Sequence, residues 1–129
     1  MKKIIPFLMA LLLLAGCGVQ SEDSTYRQIN AEEAAAMMEE ESSYIILDVR
    51  KAQEYSEKHI PGAINIPNET IGDQDIPELP DKEQLILVYC RSGNRSKQAS
   101  EKLVKRGYTN IVEFGGINDW TGETVGGAS

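Results

Sequence analysis

The segment Cys90-Arg91-Ser92-Gly93-Asn94-Arg95-Ser96 collects the residue types that a sulfur nucleophile requires. A thiol attacks as its thiolate. Free backbone N–H groups at a helix N-terminus, the positive end of the helix dipole and nearby guanidinium groups all favour that ionised form. Arg91 and Arg95 supply the guanidinium groups. Gly93 and Asn94 both tolerate the positive φ that would curl the loop and turn several N–H groups inward as an anion nest. The chemistry implied is nucleophilic attack by Cys90 on an anionic substrate. The charge distribution agrees. Residues 90–106 hold six basic groups (Arg91, Arg95, Lys97, Lys102, Lys105, Arg106) and one acid, Glu101, whereas the whole chain carries −7. A cationic patch on an acidic protein concentrates small anions at the thiol, and the acidic balance argues against non-specific nucleic-acid binding. The plainer alternative is a basic, solvated helix that merely follows a strand.

Other reactive types are sparse. His59 is the only histidine, so a Cys-His dyad deserves consideration, but a structural hydrogen bond is the expected role. One histidine and one free cysteine make no zinc site. A thioredoxin-like redox centre would need a C-x-x-C pair, and Cys17 and Cys90 are the only cysteines. Arg50 with Glu54 is expected to form a surface ion pair of little energy. Trp120 is expected to pack, with lining of the site mouth as the alternative.

Positioning Cys90 requires a rigid element in front of it. Leu85 to Tyr89 is the most apolar run in the domain and reads as a central strand that delivers Cys90. Tyr44 to Val49 reads as a second strand buried on both faces, as in a parallel sheet. Ala63 to Ile66 and Ile111 to Phe114 are further strands, and Tyr26 to Ile29 a short edge strand. Between them lie helical patterns. Asn30 caps a helix to about Glu40, with Glu33 as its capping partner. Lys51 to Glu57 and Ser96 to Arg106 are the others, the last closed by Gly107. Gly115-Gly116 reads as a turn. Alternating strands and helices give an α/β domain with a largely parallel sheet. Ligands in such sheets sit beyond the carboxyl ends of the strands, where Cys90 lies.

The first residues follow a different rule. Met1-Lys2-Lys3 precedes an apolar run from Ile4 to Ala15, which is shorter than the roughly 20 residues a spanning helix needs. Two lysines, a short apolar core and a small-residue end are the parts of a secretory signal. Leu14-Ala15-Gly16-Cys17 resembles the bacterial lipobox, which implies removal of residues 1–16 and a diacylglycerol on Cys17. The expected organisation is a signal peptide (1–16), a lipidated tether (17–25), one domain (26–125) and a loose tail (126–129). The expected location is extracytoplasmic, with the membrane as partner through the lipid.

Four ordered motifs carry a family resemblance over about residues 26–122. CRSGNRS resembles the active-site loop of rhodanese-domain sulfurtransferases. ILDVRKAQEYSEKHIPGAINIP resembles the family's Asp-Val-Arg strand and His-Ile-Pro-Gly-Ala turn, and YTNIVEFGGINDW its closing strand, Gly-Gly turn and Trp. One departure is Lys58, where the family usually has Gly, and a slight change of that turn is expected. The resemblance implies a rhodanese-like fold, a five-stranded parallel sheet with helices on both faces. It implies that Cys90 takes a sulfane sulfur from a small anionic donor such as thiosulfate, forms a persulfide and passes the sulfur to cyanide or a thiol. The N–H groups from Arg91 to Ser96 would cradle the outer sulfur. Arg91 would meet the donor, and Arg95 would brace the loop against Asp48. No cofactor is required. Related phosphatases place five residues between Cys and Arg. Here there are four, a poorer fit to tetrahedral phosphate. A non-turnover sulfur carrier or protein-binding module remains the alternative.

Overall fold

The computed structural model describes residues 25–127. The signal-peptide, lipobox and Cys17 expectations fall outside them. Five strands form one sheet: β1 (Arg27–Gln28), β2 (Ile45–Asp48), β3 (Ile64–Asn65), β4 (Ile86–Cys90) and β5 (Ile111–Gly116). Their order is β1-β5-β4-β2-β3, and every pairing is parallel. β4 is therefore central, and all five of its residues are buried. That explains its continuous apolar run, since a strand with both faces covered has no polar side to present.

Among the described residues three α-helices cover the sheet: α1 (Ala31–Glu40), α2 (Ala52–Glu57) and α3 (Asn94–Lys105). The period-two alternation of side chains splits the core into two layers. Leu87 and Tyr89 of β4 pack with Ala34 of α1, Tyr55 of α2 and Phe114. Ile86, Val88 and Cys90 pack with Ala99 and Leu103 of α3. Cys90 therefore belongs to the α3 layer. Asp48 follows the parity of Ile46, which packs in the other layer.

Helix boundaries follow local chemistry. Asn30 and Glu33 form the expected capping box, with reciprocal bonds of 2.8 and 2.9 Å. α3 starts at Asn94, two residues before the expected Ser96, because of the pair Gly93-Asn94 only Gly93 takes the left-handed conformation (φ +115°). Asn94 is already helical. β5 runs on through Gly115-Gly116 rather than turning there. Val88 pairs with Glu113 but Cys90 with Gly116, so a bulge lies between them, and Gly115 sits in it at φ +94°. Of the tail expected to be loose, Gly127 is tied: its N–H donates to the Ser56 carbonyl at 2.7 Å, just after Val125, which pairs with His59.

Candidate active site

Cys90 ends β4 and is 1% exposed. The next three residues curl back, and the Gly93 N–H donates to Cys90 Sγ at 3.0 Å. Ser96 Oγ lies 3.5 Å from the same sulfur. Burial opposes ionisation of the thiol. The Ser96 hydroxyl and the N–H groups of Ser96, Gly93 and Ser92 outweigh it and pull the thiol below its ordinary pKa. The loop thus supplies what a reactive thiolate needs: a helix N-terminus and inward N–H groups. Arg91, Ser92 and Asn94 are exposed at the rim, and Gly93 and Ser96 are buried beneath it.

Arg95 braces the loop, but not through Asp48. Its guanidinium makes two bonds to the Glu54 carboxylate of α2, at 2.8 and 3.1 Å. Those bonds hold the Glu54 carboxyl down at about 2, against the opposing effect of its partial burial. Asp48 faces the opposite layer from Cys90. Fully buried, it takes the Arg50 N–H at 2.9 Å and the Arg50 guanidinium at 2.7 to 3.1 Å. Asp48 therefore supports the turn after β2 rather than the loop. The expected surface pair of Arg50 with Glu54 is corrected by the same observation: Arg50 is 4% exposed and pairs with Asp48. Arg50 also donates to the Lys58 carbonyl at 2.6 Å. Lys58 itself has φ −168°, extended backbone open to any residue, so the departure from Gly costs that turn nothing.

His59 stands apart from the thiol. Its Nδ1 lies 2.8 Å from the Tyr55 carbonyl, and its ring stacks on Tyr55 at 3.8 Å. Trp120 packs near Phe114, ring centroids 6.1 Å apart, and donates from Nε1 to the Glu123 carbonyl at 2.9 Å. Among the described residues no group of three His, Cys, Asp or Glu is placed to hold a metal ion.

Two positions of the site escaped the sequence. Glu113 is 2% exposed, on a core strand. Its carboxylate accepts from Ser96 Oγ at 2.5 Å and from the Gly115 N–H of the bulge at 2.9 Å. A charged residue inside the apolar run Ile111 to Phe114 was the signal available. Gly116 is the platform for the loop. A Cβ there would stand 1.9 Å from the Arg91 carbonyl oxygen and 2.5 Å from the Ser92 nitrogen, both backbone atoms with little room to yield. Gly116→Ala is expected to push the loop off its seat and slow Cys90 alkylation by about 100-fold, the scale of an ångström-sized misplacement of a reacting group. Iodoacetamide labelling of the Cys90 peptide, with circular dichroism to confirm folding, measures this. Labelling at the parent rate in the folded variant would show that the loop does not depend on this seat.

The rhodanese-like domain family matches residues 30–123. The chain belongs to the rhodanese-like family. Thiosulfate sulfurtransferase PspE of Escherichia coli is 40% identical over 73 residues, 57% of this chain and 70% of that one. The putative sulfur carrier protein YrkF of Bacillus subtilis is 32% identical over 102 residues, 78% of this chain, which spans only 54% of that relative. A solved structure described as rhodanese with anions from E. coli superposes with a TM-score of 0.61 at 36% identity, covering 66% of this chain and all of that one. The five-stranded parallel sheet with helices on both faces is thus the rhodanese fold.

Proposed function

We propose that this rhodanese-like protein is a sulfurtransferase that carries a sulfane sulfur on Cys90. The observation that carries the reading is the buried sulfur at the N-terminus of α3, with the Gly93 N–H at 3.0 Å and its thiol ionising below the ordinary range. The thiolate attacks the outer sulfur of an anionic donor such as thiosulfate. A Cys90 sulfur–sulfur bond forms, the donor's sulfur–sulfur bond breaks, and sulfite leaves with the bonding pair. The resulting persulfide is an anion in the loop that already favoured the thiolate. A nucleophilic acceptor, cyanide or a thiol, then takes the outer sulfur and returns Cys90 as thiolate, the ping-pong pattern of covalent catalysis. Exposed Arg91 meets the donor at the rim, and Arg95, held on Glu54, keeps the loop in shape. PspE and the Coxiella burnetii relative GlpE, 32% identical over 96 residues, are both named thiosulfate sulfurtransferases and support this reading.

The test is intact mass after exposure to thiosulfate, followed by thiocyanate formation on adding cyanide. Gain of one sulfur atom together with turnover is the expected result. A second reading, a carrier that loads but does not turn over, is favoured by the relative named a putative sulfur carrier and by a thiol only 1% exposed. Mass gain without thiocyanate would select it. Neither signal would sink thiosulfate as donor.

We also propose that the chain is held outside the cytoplasm by a lipid on Cys17, from the lysines, apolar run and small-residue end that precede it. Labelled palmitate fed to expressing bacteria should enter the protein and be absent from Cys17→Ser. Equal labelling of the two would remove the anchor.

A further inference from the structure

Ser96 has one hydroxyl proton and four acceptors around it. They are Cys90 Sγ at 3.5 Å, the Gly93 carbonyl at 2.9 Å, the Gly115 carbonyl at 3.2 Å and Glu113 Oε2 at 2.5 Å. A hydrogen bond to a charged acceptor is shorter and about twice as strong as one to a neutral acceptor. The proton therefore rests on the Glu113 side, and the Ser96 oxygen is left to accept from the Cys90 thiol. When Cys90 ionises, its sulfur can gain the Ser96 proton only by drawing it away from Glu113. Two anions compete for one donor in a pocket where Ser96 is fully buried and Glu113 is 2% exposed.

We propose that Glu113 is a positioning residue for the nucleophile: its carboxylate competes with the Cys90 thiolate for the Ser96 proton and so delays formation of the thiolate to higher pH than the loop alone would set. The inference rests on Cys90 being the nucleophile. It goes beyond that reading in naming what sets the working pH of the thiol. Glu113 has the same hold on the bulge, since Oε2 also takes the Gly115 N–H. The carboxylate thus joins the platform under the loop to the proton that the sulfur needs.

Other charges reach this centre and must be held constant in any comparison. Arg95 on α3 is close enough to Cys90 to sense its charge. A cavity of about 480 Å³ beside the loop brings Lys97 of α3, Glu32 of α1 and Asp119 alongside Glu113 and Gly93. Tyr26, just before β1, has its phenol pushed up by its own burial, then by the Glu101 charge and then by the Glu113 charge. Arg91 lies exposed at the rim. None of these groups makes a hydrogen bond to the Ser96 hydroxyl, so among the described residues Glu113 is the one carboxylate that reaches Cys90 through that proton.

Glu113→Gln separates charge from shape. An amide oxygen in the place of Oε2 still accepts from Ser96 and from the Gly115 N–H, but as a neutral and weaker acceptor. The rate of Cys90 alkylation by iodoacetamide, read on the Cys90 peptide by mass spectrometry across pH, gives the thiol midpoint without any sulfur donor. The midpoint in Glu113→Gln is expected to move to lower pH by about one unit, the low end of what a neighbouring charge does. Adding Ser96→Ala should remove most of that shift. A midpoint that stays put or rises in the folded variant overturns the proposal. Should the variant not fold, the Glu113 carboxyl carbon resonance of the parent protein, followed by NMR, replaces it. That resonance must step as Cys90 ionises and lose the step in Cys90→Ser, and a flat trace overturns the proposal. Alkylation and carboxyl shifts report on the thiol alone. A failure here is therefore distinct from a failure to transfer sulfur, which the thiosulfate and cyanide assay reads.

Discussion

Cys90→Ser is expected to lose sulfur loading and transfer together, with thiocyanate formation falling by at least about 10⁴-fold, as when a nucleophile is removed from a site that acts as a unit. The substitution changes little else. Cys90 is 1% exposed at the end of the central strand, and serine is the smaller side chain, so no clash arises. The Gly93 N–H that donates to Sγ can donate to Oγ instead. What goes is ionisation and the sulfur itself. A serine hydroxyl does not become an alkoxide under the influence of a few N–H groups, and an alkoxide could not form a persulfide. Intact mass after thiosulfate should show the parent heavier by one sulfur atom and the variant unchanged. A variant that still loaded sulfur would place the carrier thiol elsewhere, and Cys17 is the remaining cysteine. Far-ultraviolet circular dichroism should be superposable for the two proteins, which separates lost chemistry from lost fold.

The largest stability effect is expected at Asp48. Its carboxylate is fully buried and takes four bonds from Arg50, which is itself 4% exposed. Burial would lower the Arg50 pKa, and the hydrogen bonds and charge of Asp48 outweigh it and raise it. Asp48→Ala removes the hydrogen-bonded counter-charge and leaves a guanidinium in the core with the Lys58 carbonyl, the Tyr89 ring, 5.7 Å from its central carbon, and the weaker charge effect of Glu54, itself bonded to Arg95. Breaking a buried pair in this way costs about 3–5 kcal/mol. Against a total of about 5–15 kcal/mol for a domain, that is a large share. At about 4–8 °C per kcal/mol for a domain near this size, Tm should fall by at least about 12 °C. Replacing both partners, Asp48→Leu with Arg50→Met, should cost less than Asp48→Ala alone, because no orphan charge remains. Thermal unfolding of the three proteins measures this. A Tm within a few degrees of the parent for Asp48→Ala would show that Arg50 finds water or another partner.

Local signals were strong where local physics decides. The apolar run from Leu85, the capping pair Asn30 and Glu33, and Gly107 after α3 each act through neighbours a few residues away, and each was legible before any coordinates. So was the cysteine loop, because a helix N-terminus, a glycine and two arginines favour a thiolate wherever they follow a buried strand. The partners of the charged residues were not legible in the same way. Arg50 and Glu54 stand four apart, a helical spacing that suggests a surface pair. Instead Arg50 folds back on Asp48, and Glu54 reaches across the sheet end to Arg95, 41 positions away. The parity of β2 is what decided it: Asp48 points with Ile46 into the layer of α1 and α2, while Cys90 points into the layer of α3.

The sequence by itself therefore determined the order of strands and helices along the chain and the placing of the Cys90 loop between a buried strand and a helix N-terminus, since these depend on residue type and short-range spacing. The tertiary structure alone decided what stands behind that loop. Only when β5 lies beside β4 does the bulge at Gly115 bring Gly116 under Arg91 and Ser92, with Glu113 turned onto Ser96. A hydrophobic alternation normally helps to set register, but β4 and β5 are buried on both faces and offer little of it, so which residues stand opposite one another is settled by packing of the whole sheet.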